Sequence, residues 1–429
     1  MGVTSGNTGI VADVRDRFGR ALRELVRWSH TLKANDLPVL VDRALAPLEV
    51  HATIYVVDYE QRMLRSLSPP SGEADRLVID GSLAGRAFSS LDIQVSTRLP
   101  PALWVPILNG TTRLGVMHFV LPAYLDAEDP FVRDGCLGLT SLTGHLLQSK
   151  GRLGDSVEAV RRSTPMTIAS ELLWDLVPPT TFACDELVLA AVLEPCYDVG
   201  GDAFDYSVDG MTARLSILDA VGHGLPAALT GCVALSALRA GRRSGENLRG
   251  VAQLADAEIT AQWDDSRFVT AVLAELRLDT GVLRYINAGH PPPVLVREGR
   301  VVRRLDGARR LPLGLGQDTP EPADEALEPG DRLLFYTDGV IEARDEEGRL
   351  FGVDRLVEQT ERHTASAMPT PEVLRRLSHA VLDHQNGVLQ DDATLLLAEW
   401  SPTAADRTVP REIVAELVAA REGTKPGPA

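Results

Sequence analysis

Four acidic clusters in the second half of the chain each lie at the end of an apolar run or just after one. They are Asp198-Val-Gly-Gly-Asp202-Ala-Phe-Asp205, Leu215-Ser-Ile-Leu-Asp219-Ala-Val-Gly-His223, Phe335-Tyr-Thr337-Asp338-Gly339 and Gln390-Asp391-Asp392-Ala-Thr394. Short apolar runs bounded by turn residues read as buried strands, and carboxylates at strand ends gather along one sheet edge. Several carboxylates brought together there repel one another unless cations neutralise them. Oxygen-only donors select hard ions, Mg2+ or Mn2+, over zinc. Two such ions roughly 3.5–4 Å apart share a bridging water, lower its pKa and clamp phosphoryl oxygens during in-line attack. Taken singly, Asp198, Asp205 and Asp392 read as turn formers or solvated acids.

The charge balance narrows the chemistry further. A formal net charge of −17 repels phosphate backbones and anionic lipid headgroups, so neither nucleic acid nor a membrane is expected as a partner. An acidic protein acting on a phosphoester needs local positive charge, which metal ions supply. Cys136, Cys184, Cys196 and Cys232 form no CxxC pair, which argues against a zinc knuckle or a disulfide framework. None has Arg at the Cys-x5-Arg offset of a cysteine phosphatase, and no lysine follows glycine as a phosphate-cradling loop requires. The N-terminus lacks a basic segment leading into an apolar run, and no stretch approaches the length of a membrane span, so a cytoplasmic protein is expected.

The elements that must position these residues follow from periodicity. Residues 1–36 read as a helical lead-in, with Val14, Phe18, Leu22 and Leu25 at helical spacing. Residues 37–150 read as one α/β domain. It has a helical run from Val39, a strand over His51–Asp58, two strands around the Asn109-Gly110 turn, and a closing helix near Asp129–Gln148. Residues 151–180 read as a helical connector, with Ser163-Thr164-Pro165 as N-cap and first-turn proline and Pro178-Pro179 as the stop. Its apolar stripe suits packing against a second copy or against its own domain. Residues 181–400 hold the carboxylates, and the tail 401–429 carries a short helix-like run over Ile413–Val418.

The four clusters, in this order, closely resemble the bacterial PP2C-like (PPM) phosphatases of the sporulation and stress-response class, the SpoIIE/RsbU type. Asn287-Ala-Gly-His290-Pro-Pro-Pro293 and Pro329-Gly330-Asp331 strengthen the match. The resemblance implies an α+β chain whose C-terminal αββα sandwich has two antiparallel sheets flanked by helices. It further implies a metal-dependent protein serine/threonine phosphatase using two Mn2+ or Mg2+ ions. By the match, Asp202, Asp219 and the Ala220 carbonyl hold one ion, and Asp219, Asp338 and Asp391 the other, with Asp219 and Asp338 at the catalytic heart. The implied substrate is a phosphorylated anti-sigma-factor antagonist. His223 stands two residues beyond the position of the eukaryotic general acid, His290 is expected to brace its loop, and no arginine matches the eukaryotic phosphate-binding one, so substrate-binding residues are unassigned. Gly200-Gly-Asp-Ala-Phe204 also resembles the loop of diguanylate cyclases, but Ala203 replaces its glutamate. The competing reading is a catalytically silent PP2C-like module that senses a ligand or binds a partner. Upstream, Leu83-Ala-Gly-Arg-Ala-Phe88 and the strand pair after it resemble a GAF domain. That resemblance implies a six-stranded sheet with helices on one side, used to bind a small ligand or to form a homodimer.

Overall fold

The computed structural model describes residues 5–415 except 68–74, 264–265, 317, 365–367, 388 and 404. The chain divides into two compact units, Met1–Ser163 with Thr408–Ala429, and Thr164–Arg407.

The first unit runs α1 (Ser5–Trp28), α2 (Leu37–Leu45), β1 (His51–Val57), β2 (Met63–Ser66), β3 (Arg76–Val78), α3 (Leu83–Ser90), β4 (Gln94–Ser96), β5 (Ala102–Asn109), β6 (Thr112–Val120), α4 (Pro130–Gly151) and α5 (Ser156–Arg161). Its six strands form one sheet in the order β3-β2-β1-β6-β5-β4. Alternation along β1 divides its two faces: Ile54 and Val56 pack with α1, α2 and α4, while Tyr55 and Val57 pack with Ala84, Ala87 and Phe88 of α3. Helices therefore cover both faces, where the GAF resemblance implies one; the apolar row on the α3 side is what requires the second cover. Part of the tail returns to this unit, where Ile413 packs against the core and Arg411 pairs with Asp92 at 2.9 Å. The residues beyond Ala415 in the expected helix over Ile413–Val418 lie outside the described part of the chain.

The second unit begins with α6 (Ile168–Leu176), β7 (Thr181–Cys184), β8 (Leu187–Glu194), β9 (Asp202–Asp209), β10 (Thr212–Ala220), α7 (Gly224–Arg243), α8 (Leu248–Trp263), β11 (Val269–Arg277) and β12 (Val282–Ala288). It continues through β13 (Val294–Arg297), β14 (Arg300–Arg304), β15 (Arg309–Arg310), β16 (Ala323–Ala326), β17 (Asp331–Tyr336), α9 (Asp338–Glu342), α10 (Gly352–Thr364), α11 (Thr370–His384) and β18 (Ala393–Trp400). One sheet has the order β15-β12-β11-β10-β9 with β16 also on β12; the other has the order β14-β13-β17-β18-β8-β7. Among the described residues the strands of this unit pair antiparallel, except for the two-residue parallel contact of β12 with β15; an isolated parallel bridge also links Ala271 to Gly289. Every residue of β8 is buried because both its faces are covered. Leu187, Leu189, Ala191 and Leu193 join the core shared with β9, β10 and β11, while Ala190 and Val192 join the core under α11. Each fully buried large aliphatic side chain contributes about 1.5–3 kcal/mol to that packing. The result is an α+β sandwich, with α7 and α8 outside one sheet and α10 and α11 outside the other.

Two local readings of the sequence are corrected. The helix within the expected connector, α6, is capped by Thr167, whose side chain accepts from the Ser170 amide, not by Ser163, and Met166 precedes it. A cap four residues later lets Ala169, Leu173 and Val177 enter the core of the second unit, leaving Ile168 exposed. Among the described residues α7 has the length and composition to cross a membrane, a feature the sequence pattern did not bring out. Ala227, Ala228, Ala234, Leu235 and Leu238 place its apolar face in the domain core instead.

Candidate metal centre

Antiparallel pairing explains why aspartates so far apart in the chain meet. Asp202 opens β9 and Asp219 lies near the end of β10, and the register sets them directly opposite each other. In the second sheet, Tyr336 near the end of β17 pairs with Leu395 near the start of β18, so Asp338 and Asp391 emerge at the same end. Like charges directly opposite in a ladder destabilise it, so Asp202 beside Asp219 is a position selected against unless something else holds the pair.

The two sheets are joined at this end by hydrogen bonds. The Thr337 hydroxyl donates to Asp202 Oδ2 at 2.7 Å and accepts from the Thr394 amide at 2.8 Å. Thr337 consequently precedes α9 without capping it. Asp392 Oδ2 accepts from the amides of Gly200 at 2.7 Å, Gly201 at 2.6 Å and Asp202 at 3.3 Å. Two glycines make this closeness possible. A Cβ on Gly201 would stand 2.5 Å from the Ala220 carbonyl oxygen, and one on Gly339 would stand 1.9 Å from the Asp392 carbonyl oxygen. The Ala220 amide donates to the Gly201 carbonyl at 3.2 Å, which fixes the Ala220 peptide beside the aspartates.

The electrostatics are those of crowded, partly dehydrated acids. Burial first, then the charges of Asp338, Asp391 and Asp392, push the Asp219 carboxyl up to about 7. Burial, followed by Asp219 and Asp392, holds Asp202 well above the ordinary carboxylate range, partly offset by the Thr337 hydrogen bond. Asp338 is raised by burial and then by Asp391 and Glu342. Every charge acting on Asp219 is another carboxylate. Among the described residues no three His, Cys, Asp or Glu side chains are drawn together tightly enough to hold an ion as they stand. The donor set still fits hard divalent ions: oxygen donors only, mutually repelling, at the end of the sandwich, with a peptide carbonyl alongside.

Asp202, Asp219, Ala220, Asp338 and Asp391 thus lie at one end of the second unit. Asp391 is exposed, while Asp202 is fully buried. His223 is exposed and precedes α7 without capping it. His290 is buried; its Nε2–H faces the Tyr336 carbonyl at 3.1 Å and its Nδ1 faces the Thr270 hydroxyl at 2.8 Å. Burial lowers its pKa to about 3, so it is a neutral brace. Asn287 clasps the same turn, accepting from the His290 amide at 2.9 Å and donating to its carbonyl at 3.0 Å. Two acids that read singly as turn or surface residues have other roles. Asp392 fastens the Gly200-Gly201 turn, and Asp205 is buried between Arg239 and Arg242. Their partners lie too far along the chain for local pattern to show them; the alternation that puts Asp205 on the helix-facing side of β9 was the available signal. Asp198 is exposed, in a turn where its amide donates to the Pro195 carbonyl.

Residues 209–401 match the family model of Stage II sporulation protein E (SpoIIE). The matched stretch lies within the second unit, which is therefore similar to SpoIIE-type PP2C phosphatase domains. The chain is 28% identical over 214 residues to "Phosphoserine phosphatase RsbU" of Bacillus subtilis, covering 50% of this chain and 63% of that protein. It is 30% identical over 139 residues to "Protein IcfG" of Synechocystis, covering 32% of this chain and 21% of that protein. The match thus spans less than two thirds of the length of these curated relatives. The solved RsbU and RsbW domains of Rv1364c from Mycobacterium tuberculosis are similar at 27% identity and a TM-score of 0.46, over 52% of this chain and 63% of that one.

Proposed function

We propose that this protein is a metal-dependent protein serine/threonine phosphatase that removes phosphate from phosphoserine or phosphothreonine on a regulatory protein. The observation that carries the reading is the convergence of Asp202, Asp219, Asp338 and Asp391 from two sheets, where burial first and neighbouring carboxylates second push the carboxyls of Asp202, Asp219 and Asp338 upward. Asp202, Asp219 and the Ala220 carbonyl would hold one ion, and Asp219, Asp338 and Asp391 the other. A bound pair of Mn2+ or Mg2+ ions would supply a water of lowered pKa and the positive charge that a phosphoester requires. The chain's own residues do the positioning. Thr337 holds the Asp202 carboxylate from the opposite sheet. Asp392 ties down the turn carrying Gly200 and Gly201, which sets the start of β9. His290 fixes the Tyr336 carbonyl, two residues before Asp338.

The likeness to RsbU supports an anti-sigma-factor antagonist as the phosphoprotein, with the first unit acting as a GAF-like sensor that takes a small ligand or pairs two copies in the cytoplasm. Manganese-dependent hydrolysis of p-nitrophenyl phosphate, abolished by Asp219→Asn, tests the chemistry. Absence of turnover with Mn2+ and with Mg2+ would instead favour the silent binding module. A substrate-trapping pull-down with Asp219→Asn, read by phosphosite mass spectrometry, tests the partner.

A further inference from the structure

A cleft of about 500 Å³ opens against β9 and the last turns of α7, at the far end of the strand from the carboxylates. Asp202 opens β9 and Asp209 closes it, a separation of roughly 20 Å at the usual rise of an extended strand. Four guanidiniums face the cleft, those of Arg214, Arg239, Arg242 and Arg243. Two of them share one buried acid: Arg239 donates to Asp205 Oδ1 at 2.7 Å and Arg242 to Oδ2 at 2.8 Å. Arg214 donates to Glu275 at 3.1 Å. Arg243 is exposed and has no partner among the described residues. Asp209 stands exposed at the rim, so four cations meet three anions in a chain whose net charge is −17.

A second observation points the same way. The Ser207 hydroxyl lines the cleft, is buried, and has no hydrogen-bond partner among the described residues. A buried hydroxyl left unmatched costs about 1–3 kcal/mol. Arginines near a helix C-terminus also complement its dipole, but that role leaves the hydroxyl unexplained and does not require a cavity. Guanidinium forks beside a hydroxyl donor are a donor set for an oxyanion, and the volume lies within the about 300–1000 Å³ of small-molecule sites.

We propose that this cleft binds the phosphate or carboxylate group of a metabolite-sized anion, held by Arg243, Arg214 and the Ser207 hydroxyl, with Arg239 and Arg242 reaching it from the Asp205 clamp. The test is calorimetric titration of the full manganese-loaded chain with inorganic sulfate and, separately, with succinate, at constant ionic strength set by sodium chloride. Saturable binding is expected for at least one of them, and the stronger of the two identifies phosphate-like or carboxylate chemistry. Arg243→Gln and Ser207→Ala should each weaken it about tenfold, the loss of one charge-assisted hydrogen bond. Both variants spare the Asp205 ion pairs and should fold. Asp219→Asn should bind the anion unchanged. No saturable binding of either probe overturns the proposal, as does binding that disappears in Asp219→Asn and survives in Arg243→Gln, because the anion would then sit at the metal centre.

Discussion

Replacing Asp219 with asparagine should make the metal-free protein more stable while destroying its chemistry. The Asp219 carboxyl is raised from 3.8 to about 7 in the fold, so folding disfavours its ionised form. A group with a raised folded pKa contributes stability at low pH that is lost as pH rises through the folded value; above that value the cost reaches about 4 kcal/mol at 1.36 kcal/mol per pKa unit. Asparagine keeps the shape of the side chain and carries no charge, so the variant escapes this cost. For a domain the size of the second unit, about 4 kcal/mol corresponds to roughly 8–15 °C in Tm. The assay is differential scanning calorimetry of both proteins in chelator across the pH range, repeated with Mn2+. In chelator at about pH 8 the variant should melt higher; the gain should fall below half by about pH 5 and vanish below about pH 4. Added Mn2+ should raise the wild type alone and narrow or reverse the order, since only a ligand that binds the folded state stabilises it. A metal-free variant no more stable than wild type at about pH 8, or a gain that does not change with pH, would refute the account of crowded carboxylates.

Three further outcomes follow from named contacts. Asp392→Ala removes the acceptor of three backbone amides and should lower manganese affinity or turnover about 10–100-fold, read by the metal dependence of p-nitrophenyl phosphate hydrolysis. Gly339→Ala drives a methyl group to 1.9 Å from the Asp392 carbonyl oxygen and should cost about 1–3 kcal/mol or more in chemical denaturation, with activity lost alongside. His290→Ala strands the Tyr336 carbonyl and the Thr270 hydroxyl and should destabilise by about 1–3 kcal/mol at neutral pH. Because His290 titrates at about 3 in the fold against an ordinary 6.5, the unfolded chain takes up its proton first. Wild type therefore loses stability as pH falls from about 6.5 toward about 3, and the variant should lack that portion of the loss in a Tm series.

The acidic clusters were legible because each carries its own context: an apolar run, an aspartate, then a glycine or a second acid. Their meeting was legible in part: strand ends were expected to gather them along one sheet edge, whereas Asp202 and Asp219 pair within one sheet and Asp338 and Asp391 flank neighbouring strands of the other. What escaped was whatever depends on a distant partner. Asp392 next to Asp391 has the local pattern of a solvated pair, and only the fold brings the Gly200-Gly201 amides to it from some 190 residues away. Asp205 follows the same logic, its two arginines lying on α7. The connector cap was misplaced because Ser163-Thr164-Pro165 carries the stronger local signal, whereas burial of Leu173 requires the helix to begin after Thr167. The side chains that pack on both faces of the first sheet were visible as an apolar run in β1, but which helix covers which face was not.

Residues 408–415 belong with the first unit, so that unit is assembled from both ends of the described chain, with the sandwich inserted between them. During synthesis the ribosome delivers the whole sandwich before it delivers the Arg411 and Ile413 contacts that finish the first unit. The element begun first is therefore completed last. Expression fragments cut after residue 163 omit this closing segment, whereas those starting at Thr164 and stopping at Arg407 leave the sandwich intact.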